Sequence, residues 1–235
     1  MISEQQRLES VAQKSLYTTF ANSMTIEYCY EIYSRFLKKG NILELGPAEG
    51  LMTQHLLNGI SEVTVVDGSE VFCEQLQFKF PGLNVVNCLF EDFRTDKKFS
   101  NILLGHVLEH VQEPANILNL VKEWLEPDGV ILAAVPNSRS LHRQASVIMG
   151  LQPTEDTMGE LDYHHGHRRI YNPESFRSEF IKSGLQIKHY GGYWLKPVSN
   201  SQINASWTKE MLLAFMSLGE RYPDIAAEIY VVASH

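Results

Sequence analysis

Residues 41–50 have the sequence NILELGPAEG, and this stretch decides the fold. A mainly apolar run, 41–45, enters a turn that carries two glycines, and a helical pattern begins at Leu51. Gly46 and Gly50 let the backbone turn sharply and let a ligand lie against the main chain, because neither has a Cβ. The stretch therefore predicts a buried strand, a tight turn and a helix, and a turn without a ligand is the alternative.

The charges around this turn narrow the class of ligand. A P-loop is excluded, because no Gly-Lys-Ser/Thr sequence follows. The carboxylates of Glu44 and Glu49 oppose a pyrophosphate and suit a ligand with an ammonium or sulfonium group. The next apolar run ends in Asp67, where a nucleoside-binding sheet places an acid against the ribose hydroxyls. Asp67 is also a candidate N-cap for the helix that begins near Ser69.

Short apolar runs alternate with helical stretches through the rest of the chain. The strand candidates are Asn41–Leu45, Glu62–Asp67, Asn84–Phe90, Asn101–Gly105 and Gly129–Pro136, followed by Leu185–Leu195 and Glu228–Ser234. The helix candidates between and after them are Leu51–Asn58, Ser69–Phe80, Pro114–Leu125, Pro173–Ser183 and Lys209–Glu220. This alternation predicts an α/β fold: a Rossmann-like, seven-stranded, mostly parallel sheet with helices on both faces and an antiparallel last strand. We expect the strands to be covered on both faces, because they are almost wholly apolar.

The organisation predicted is a single domain over 1–235, with four parts. Residues 1–38 form an N-terminal helical cap, two helices interrupted near Asn22 and Ser23. Residues 39–136 form the ligand-binding core. Residues 137–172 are polar and rich in histidine, which predicts a lid or substrate-side insertion, because long connections at the carboxyl ends of strands surround the ligand crevice. Residues 173–235 complete the sheet.

Residues 40–136 resemble a class I S-adenosylmethionine-dependent methyltransferase of the small-molecule branch, similar to ubiquinone-biosynthesis and sugar methyltransferases. The resemblance is carried by the turn ELGPAEG at 44–50, Asp67, LEHV at 108–111, and Asp128-Gly129 before the fifth strand. HRRIYNPES at 167–175 resembles the stretch that follows the lid in many members. Ala48 replaces the family's middle glycine, and we expect it to avoid a positive φ.

This resemblance implies S-adenosylmethionine as the cofactor and S-adenosylhomocysteine as the product. The cofactor-binding residues that it implies are Glu44, Gly46, Pro47, Ala48, Gly50, Asp67, Gly68, Ser69, Phe90, Glu91, Asp92 and His106. An acid directly after strand three often meets the adenine in relatives, but Leu89 stands there. We expect adenine to contact the Phe90 backbone and the carboxylate of Glu91 or Asp92, with a helix cap as the alternative for Asp92.

Histidines dominate the expected acceptor side. His106, His165 and His167 are the candidate general bases, because the usual histidine pKa suits proton removal from a hydroxyl at neutral pH. Tyr17, His110, Arg168 and Arg169 are the candidate substrate-binding residues, the arginines for an anionic acceptor. A metal at His164-His165-Gly166-His167 is the alternative, but no cysteine or evident carboxylate completes it, so we expect none. A solvated basic loop and a helix-packing role for His110 stay open.

The composition of the chain limits the kinds of partner that the protein is expected to bind. The formal net charge of −8 disfavours nucleic acid, since a phosphate backbone would be repelled. The three cysteines are far apart, which suggests free thiols rather than disulfides. The first ten residues lack the basic start and apolar core of an export signal, and no apolar run nears a membrane span. We expect a cytoplasmic monomer or homodimer with no membrane partner.

The sequence thus predicts methyl transfer from S-adenosylmethionine to a hydroxyl of a small metabolite or sugar-like acceptor. N-methylation of a small amine is the alternative within the family. A cofactor-binding regulatory or scaffold protein without activity, an NAD-dependent oxidoreductase and an RNA methyltransferase are the alternatives from other classes.

Overall fold

The computed structural model describes residues 3–59 and 62–235, which build one seven-stranded sheet. The strands are β1 (Ile42–Leu45), β2 (Val63–Asp67), β3 (Asn84–Asn87), β4 (Phe99–Gly105), β5 (Leu125–Pro136), β6 (Gln186–Tyr193) and β7 (Glu228–Ser234). Their order in the sheet is β3-β2-β1-β4-β5-β7-β6. All neighbouring pairs are parallel except those of β7, which runs antiparallel to both β5 and β6. The predicted α/β, Rossmann-like sheet is confirmed.

Ten helices accompany these strands within the described part of the chain. They are α1 (Glu4–Ala12), α2 (Phe20–Ser34), α3 (Leu51–Leu57), α4 (Glu70–Lys79), α5 (Pro114–Trp124), α6 (Leu141–Ile148), α7 (Glu160–His164), α8 (Pro173–Lys182), α9 (Asn200–Ser206) and α10 (Lys209–Gly219). The core side chains of α5 and α8 pack on one face of the sheet. Those of α2, α3, α4, α9 and α10 pack on the other.

The central strands alternate between these two apolar layers. In β4, Ile102 and Leu104 face the layer of α5 and α8, and Leu103 faces the other. Successive strand side chains point to opposite faces, so a continuous apolar run fills both layers at once. The outermost strand β3 differs, because its four residues are exposed or half-buried. Burial on both faces is therefore a property of the central strands and not of β3.

The N-terminal helices break earlier than the sequence predicts. The interruption covers residues 13–19, and Asn22 and Ser23 lie inside α2. Asn22 is compatible with the first turn of α2 because its amide Nδ2 donates a 2.9 Å hydrogen bond back to the Leu16 carbonyl. An asparagine near a helix start stabilises the preceding loop rather than ending the helix.

Several other boundaries differ from the sequence predictions. Strand β5 begins at Leu125, because Leu125 pairs with Phe99 across a register shift before the regular ladder starts at Val130. Strand β3 ends at Asn87, and a single 3₁₀ turn, Phe90–Asp92, follows. Segment 137–172 contains α6 and α7, and the helix α9 was not predicted. None of the helices within 3–59 and 62–235 is both long and apolar enough to cross a membrane.

Candidate active site

A cavity of about 540 Å³ opens where the parallel strands end. Its walls come from the β1 turn, the end of β4, helix α2, segment 137–172 and the residues that follow β6. The lining residues used below are Tyr17, Glu44, Gly46, Pro47, Ala48, Glu49, Gly105, His106, Glu109, His110, His142, Arg143, Asp162, His165, His167, Trp194, Lys196 and Glu228. The crevice outside the carboxyl ends of the strands is where open α/β sheets bind ligands.

The β1 turn forms one end of the cavity and has an unusual backbone. Gly46, Ala48 and Gly50 have φ values of 66°, 48° and 76°. The expectation that Ala48 avoids a positive φ is wrong, because the turn needs left-handed backbone at this position whichever residue stands there. A Cβ at Gly46 would lie 3.1 Å from Val107 Cγ2, so only glycine leaves this wall of the turn free.

Carboxylates surround this turn and suit a cationic ligand. Glu44 is buried and accepts a 2.7 Å hydrogen bond from Thr53 Oγ1, and burial raises its pKa to about 7. Glu49 accepts a hydrogen bond from Ser15 Oγ, while its Oε2 is buried with no hydrogen-bond partner among the described residues. A free buried carboxylate oxygen beside a main-chain cradle suits the ammonium of an amino-acid moiety.

Asp67 lies at the end of β2, next to the same turn. Its Oδ1 accepts from the Ser69 N–H at 2.8 Å and its Oδ2 from the Ala48 N–H at 3.4 Å. Burial raises the pKa of Asp67 to about 6. Asp67, Gly68 and Ser69 do not line the cavity, because helix α1 covers them.

Helix α1 covers them through polar contacts and one leucine. Gln5 Nε2 donates to the Gly68 carbonyl, and the Glu9 carboxylate accepts from Ser69 Oγ and the Glu70 N–H. A Cβ at Gly68 would lie 2.5 Å from Leu8 Cδ1. The turn and the acceptor end are thus open to a ligand, and the Asp67 region is closed by α1.

The residues expected near adenine divide between two places. Phe90 lies against the β1 turn, with its ring 3.7 Å from the position of a Cβ on Gly46. Glu91 and Asp92 are exposed, and Asp92 lines a separate depression beside β3 and β4. The structure therefore brings Phe90, but neither carboxylate, to the turn.

His106 stands at the centre of the cavity, directly after β4. Its Nδ1 lies 3.4 Å from Glu109 Oε1 and 3.8 Å from Glu228 Oε2. Its Nε2 is buried and makes no hydrogen bond within the described parts of the chain. Burial alone would lower the pKa of His106, but Glu109 and Glu228 outweigh burial and raise the pKa to about 8. Sequence reasoning identified His106 and missed Glu228, which is distant along the chain.

Glu109, His110 and His167 form a group that can hold a metal ion. Their ligand-type atoms lie within 4.8 Å of one another. Burial lowers the pKa of His110 to about 3, which keeps the imidazole neutral, and neither carboxylate oxygen of Glu109 has a hydrogen-bond partner among the residues described. This group joins two distant segments. The sequence analysis weighed only the neighbouring histidines 164–167 and so did not foresee it.

Tyr17 and His165 form a second wall of the acceptor end. Their rings stack at 5.3 Å, and His165 also stacks on His167 at 5.9 Å. Burial lowers the pKa of His165 to about 4. His167 Nδ1 lies 3.2 Å from Asp162 Oδ1, and Asp162 in turn pairs with Arg143 at 2.8 Å. The loop histidines and Tyr17 therefore meet at the cavity as the sequence suggests.

Arg168 and Arg169 have other partners and do not line the cavity. Arg168 pairs with Glu4 of α1 at 2.6 Å and donates to the His110 carbonyl. Arg169 donates to the carbonyls of Leu108, Val111 and Gln112. Both guanidinium groups therefore hold the segment after β4 in place through hydrogen bonds to its backbone carbonyls. This differs from the expectation that they bind an anionic acceptor, because sequence cannot show that backbone carbonyls already occupy their donors.

Four residues that the sequence analysis did not single out complete the acceptor end: His142, Arg143, Lys196 and Glu228. Lys196 and Glu228 follow β6 and begin β7 at the edge of the sheet where His106 lies. Lys196 comes shortly after the carboxyl end of β6, as His106 comes directly after that of β4, so its place at this edge follows from the same rule.

Backbone strain is concentrated at this cavity. Within 3–59 and 62–235, the non-glycine residues with positive φ are Ala48, His106 and Trp194, and all three line the cavity. Such conformations cost on the order of 1–3 kcal/mol each and persist where surrounding structure over-determines them. Their coincidence at one cavity is typical of a functional site.

A Rossmann-like sheet with a strained, acid-lined β1 turn and an acid after β2 is typical of a protein that binds a nucleoside cofactor. A family model described as "Methyltransferase domain" matches residues 22–190, and the chain belongs to this family. It is an enzyme, a class I methyltransferase that uses S-adenosylmethionine.

Individual relatives agree with this assignment. A ubiquinone biosynthesis O-methyltransferase of Rickettsia akari is 23% identical over 192 residues, which cover 76% of this chain and 73% of the relative. The CcbJ methyltransferase of Streptomyces caelestis has a TM-score of 0.67 at 14% identity, covering 99% of both chains. An S-adenosylmethionine-dependent methyltransferase of Archaeoglobus fulgidus has a TM-score of 0.60 at 16% identity, covering 91% of this chain and 94% of the other.

Proposed function

We propose that the protein transfers the methyl group of S-adenosylmethionine to a hydroxyl of a small molecule, with His106 as the general base. The observation that carries this proposal is the position of His106. It lines the cavity beside Gly105, its Nδ1 faces two carboxylates, and its Nε2 makes no hydrogen bond among the described residues. The name of the Rickettsia akari relative, an O-methyltransferase, agrees with a hydroxyl target.

The residues at the β1 turn would hold the amino-acid end of the cofactor. Gly46, Pro47 and Ala48 supply the main-chain cradle, and Glu49 supplies a free carboxylate oxygen for the ammonium. Asp67 would bind the ribose once α1 moves aside, with Gly68, Ser69 and Phe90 beside the nucleoside. The bound cofactor supplies a methyl group on a positively charged sulfur, which leaves as a neutral thioether.

Proton removal would be carried out by the histidine after β4. His106 Nε2 would accept the proton of the acceptor hydroxyl as that oxygen is methylated. Glu109 and Glu228 then stabilise the imidazolium from the Nδ1 side. His165, Tyr17 and His110 would position the acceptor, because alignment of the acceptor with the methyl group supplies much of the acceleration.

A metal-assisted reaction is the second candidate, favoured by the grouping of Glu109, His110 and His167. A divalent ion there would lower the pKa of the acceptor hydroxyl without a general base. Activity that survives dialysis against EDTA supports the base. Activity lost to EDTA and restored by Mg²⁺ or Zn²⁺ supports the metal and contradicts our proposal.

The experiment that tests the function is a product assay with S-adenosylmethionine over a panel of small phenols, alcohols and amines. We expect methylated phenols or alcohols and S-adenosylhomocysteine. His106→Gln should reduce kcat for a hydroxyl acceptor by about 100-fold or more, the usual contribution of a general base. His55→Gln is the control, because His55 does not line the cavity. Methylated amines alone would favour the N-methyltransferase, and binding without any product would favour the scaffold.

A further inference from the structure

Lys196 lies at the end of the cavity remote from the β1 turn. It follows β6, whose neighbour β7 is three strand positions from β1 in the order β1-β4-β5-β7-β6. Neighbouring strands are about 4.8 Å apart, so β7 is roughly 14 Å from the turn. This separation places Lys196 with the acceptor and not with the amino-acid end of the cofactor.

The Lys196 side chain is buried without a hydrogen-bonding partner. The residue is only 9% exposed, and its ammonium lies 4.8 Å from the Trp194 ring centroid. Within 3–59 and 62–235, Glu228 and Asp162 attract this ammonium at a distance, and neither accepts a hydrogen bond from it. A buried ammonium keeps its charge at a considerable cost unless an oxygen acceptor is supplied.

The charges that face Lys196 come from three other elements. Glu228 of β7 attracts the ammonium but lies 3.8 Å from His106, so it is shared between two cations. Arg143 and Asp162 pair with each other at 2.8 Å and largely cancel. His142 lines the same wall, and burial lowers its pKa to about 2, so it stays neutral. Glu109 is the nearer carboxylate to His106, at 3.4 Å, so the charges at this end balance, but the Lys196 ammonium has no oxygen of its own to which it donates a hydrogen bond.

We propose that Lys196 binds a carboxylate of the methyl acceptor, so that the substrate is an anionic hydroxy acid. The inference rests on the proposed function, because it assigns this end of the cavity to the acceptor. A single ammonium matches a singly charged carboxylate, whereas a doubly charged phosphate would meet the carboxylates of Glu228 and Glu109 without a second free cation. The neutral Nδ1 of His142, which has no hydrogen-bond partner in the described chain, is available as a further contact.

The pH dependence of binding follows from the state of this ammonium. Burial lowers the pKa of Lys196 to about 8, while Glu228 opposes that shift. A benzoate-type carboxylate is ionised throughout the range from pH 6 to 9. Affinity for the carboxylate should therefore be highest below the lysine pKa and fall as pH rises through about 8, because the ammonium loses its proton.

A matched pair of probes tests the proposal by binding alone. 3-Hydroxybenzoate and 3-hydroxybenzamide have nearly the same size and differ in charge. Calorimetric titration with the cofactor site filled by S-adenosylhomocysteine excludes turnover. We expect the wild-type protein to bind the benzoate about 10- to 100-fold more tightly than the amide, the usual gain from a charge-assisted hydrogen bond. Lys196→Met should remove this preference, and Lys196→Arg should retain part of it.

Lys188→Met is the matched control, since Lys188 is an exposed lysine of the neighbouring strand β6. It should keep the full preference. Three results would overturn the proposal. The wild-type protein could bind the two probes equally, it could bind both weakly or not at all, or the preference for the benzoate could persist in Lys196→Met. If Lys196→Met does not fold, the wild-type preference measured from pH 6.5 to 9 decides, and a pH-independent preference contradicts the role of Lys196.

Failure of the proposed function gives a different result. A carboxylate preference that depends on Lys196, without methylated product from any hydroxy acid, leaves the binding site standing and removes the hydroxyl-transfer proposal. Methylation of neutral alcohols without any preference for a carboxylate supports the hydroxyl-transfer proposal and removes the carboxylate site at Lys196.

Discussion

Ala48 shows how a single residue carries strain at the cofactor turn. An L-residue at φ 48° costs about 1–2 kcal/mol relative to right-handed backbone, and glycine avoids this cost. Glycine in turn loses about 0.5–1 kcal/mol more conformational entropy on folding. We expect Ala48→Gly to stabilise the fold by about 0.5 kcal/mol, and to raise the melting temperature by about 1–2 °C.

Thermal unfolding of the variant measures this effect. Ala145→Gly is the control, because Ala145 lies inside helix α6, where glycine should destabilise by about 1 kcal/mol. A destabilised Ala48→Gly variant would show that the alanine methyl group contributes packing that outweighs its backbone strain.

The proposed role of His106 as general base predicts how the reaction rate depends on pH. A general base must be neutral, so kcat/KM for an acceptor without a carboxylate should rise with pH through the His106 pKa of about 8 and level off above it. Glu228→Gln removes one of the charges that raise this pKa, and should move the rising limb to lower pH by about one unit.

Initial rates between pH 6 and 10 check this shift. Glu210 is an exposed acid at the start of α10, so Glu210→Gln should leave the rising part of the pH–rate profile at the same pH. A limb that does not move in Glu228→Gln would mean that a group other than His106 sets the profile.

Helix α1 covers the nucleoside end of the site. Ala12 is its one buried residue, so α1 is held mainly by polar contacts. These are the contacts of Gln5 and Glu9, the hydrogen bond from Arg7 to the Gly166 carbonyl and the Glu4–Arg168 pair. Elements held by few apolar contacts open at low free-energy cost. Because Asp67 is covered in this arrangement, binding of the ribose there requires α1 to move.

Weakening α1 should therefore strengthen cofactor binding. Glu9→Ala removes the contacts to Ser69 and Glu70, and we expect the Kd for S-adenosylmethionine to fall by about 3- to 10-fold, since the closed state costs roughly 1 kcal/mol to open. Ser10→Ala, an exposed position of the same helix, is the control in the same calorimetric titration. A weaker affinity in Glu9→Ala would instead make α1 a lid that closes over bound cofactor.

The elements also show what the sequence can and cannot predict. The central strands were predictable because apolar runs covered on both faces leave a continuous pattern, and β7 matches its predicted bounds, Glu228–Ser234. Helices α6, α7 and α9 were not predicted, because they have only five to eight residues, and helices this short depend on tertiary contacts. The break before α2 was misplaced because Asn22 bonds backward to Leu16.

The same limit applies to the site. Glu44, Gly46 and His106 lie at or directly after strand ends that the sequence reveals, so their meeting at one edge was predictable. Arg143 and Glu228 reach the cavity from distant segments, and only the fold brings them together. Whether Arg168 and Arg169 face a ligand or backbone carbonyls is a matter of three-dimensional packing, which a local sequence pattern does not encode.

At the scale of the whole molecule, binding of the cofactor should raise the melting temperature of the protein. A ligand at 100 times its Kd stabilises the native state by about 2.7 kcal/mol. For a chain of 235 residues this corresponds to about 5–10 °C in melting temperature. We expect this rise with S-adenosylmethionine and with S-adenosylhomocysteine, and no rise with NADH.

Asp67→Asn should reduce the rise, and Asp92→Asn should leave it unchanged, because Asp92 points to a separate depression. A rise with NADH instead would favour the oxidoreductase. An unchanged melting temperature in the presence of S-adenosylmethionine would contradict the site proposed at the β1 turn.

The two outermost strands affect how this protein behaves at high concentration. An outer strand offers free N–H and C=O groups to any extended chain, and such pairing starts aggregation. Strand β3 limits that risk by its length of four residues, and β6 carries the exposed Lys188 and His189 near its middle. Chimeric proteins that combine this chain with a relative should therefore keep the short β3 and the charged β6. A longer or more apolar outer strand would favour strand pairing between molecules.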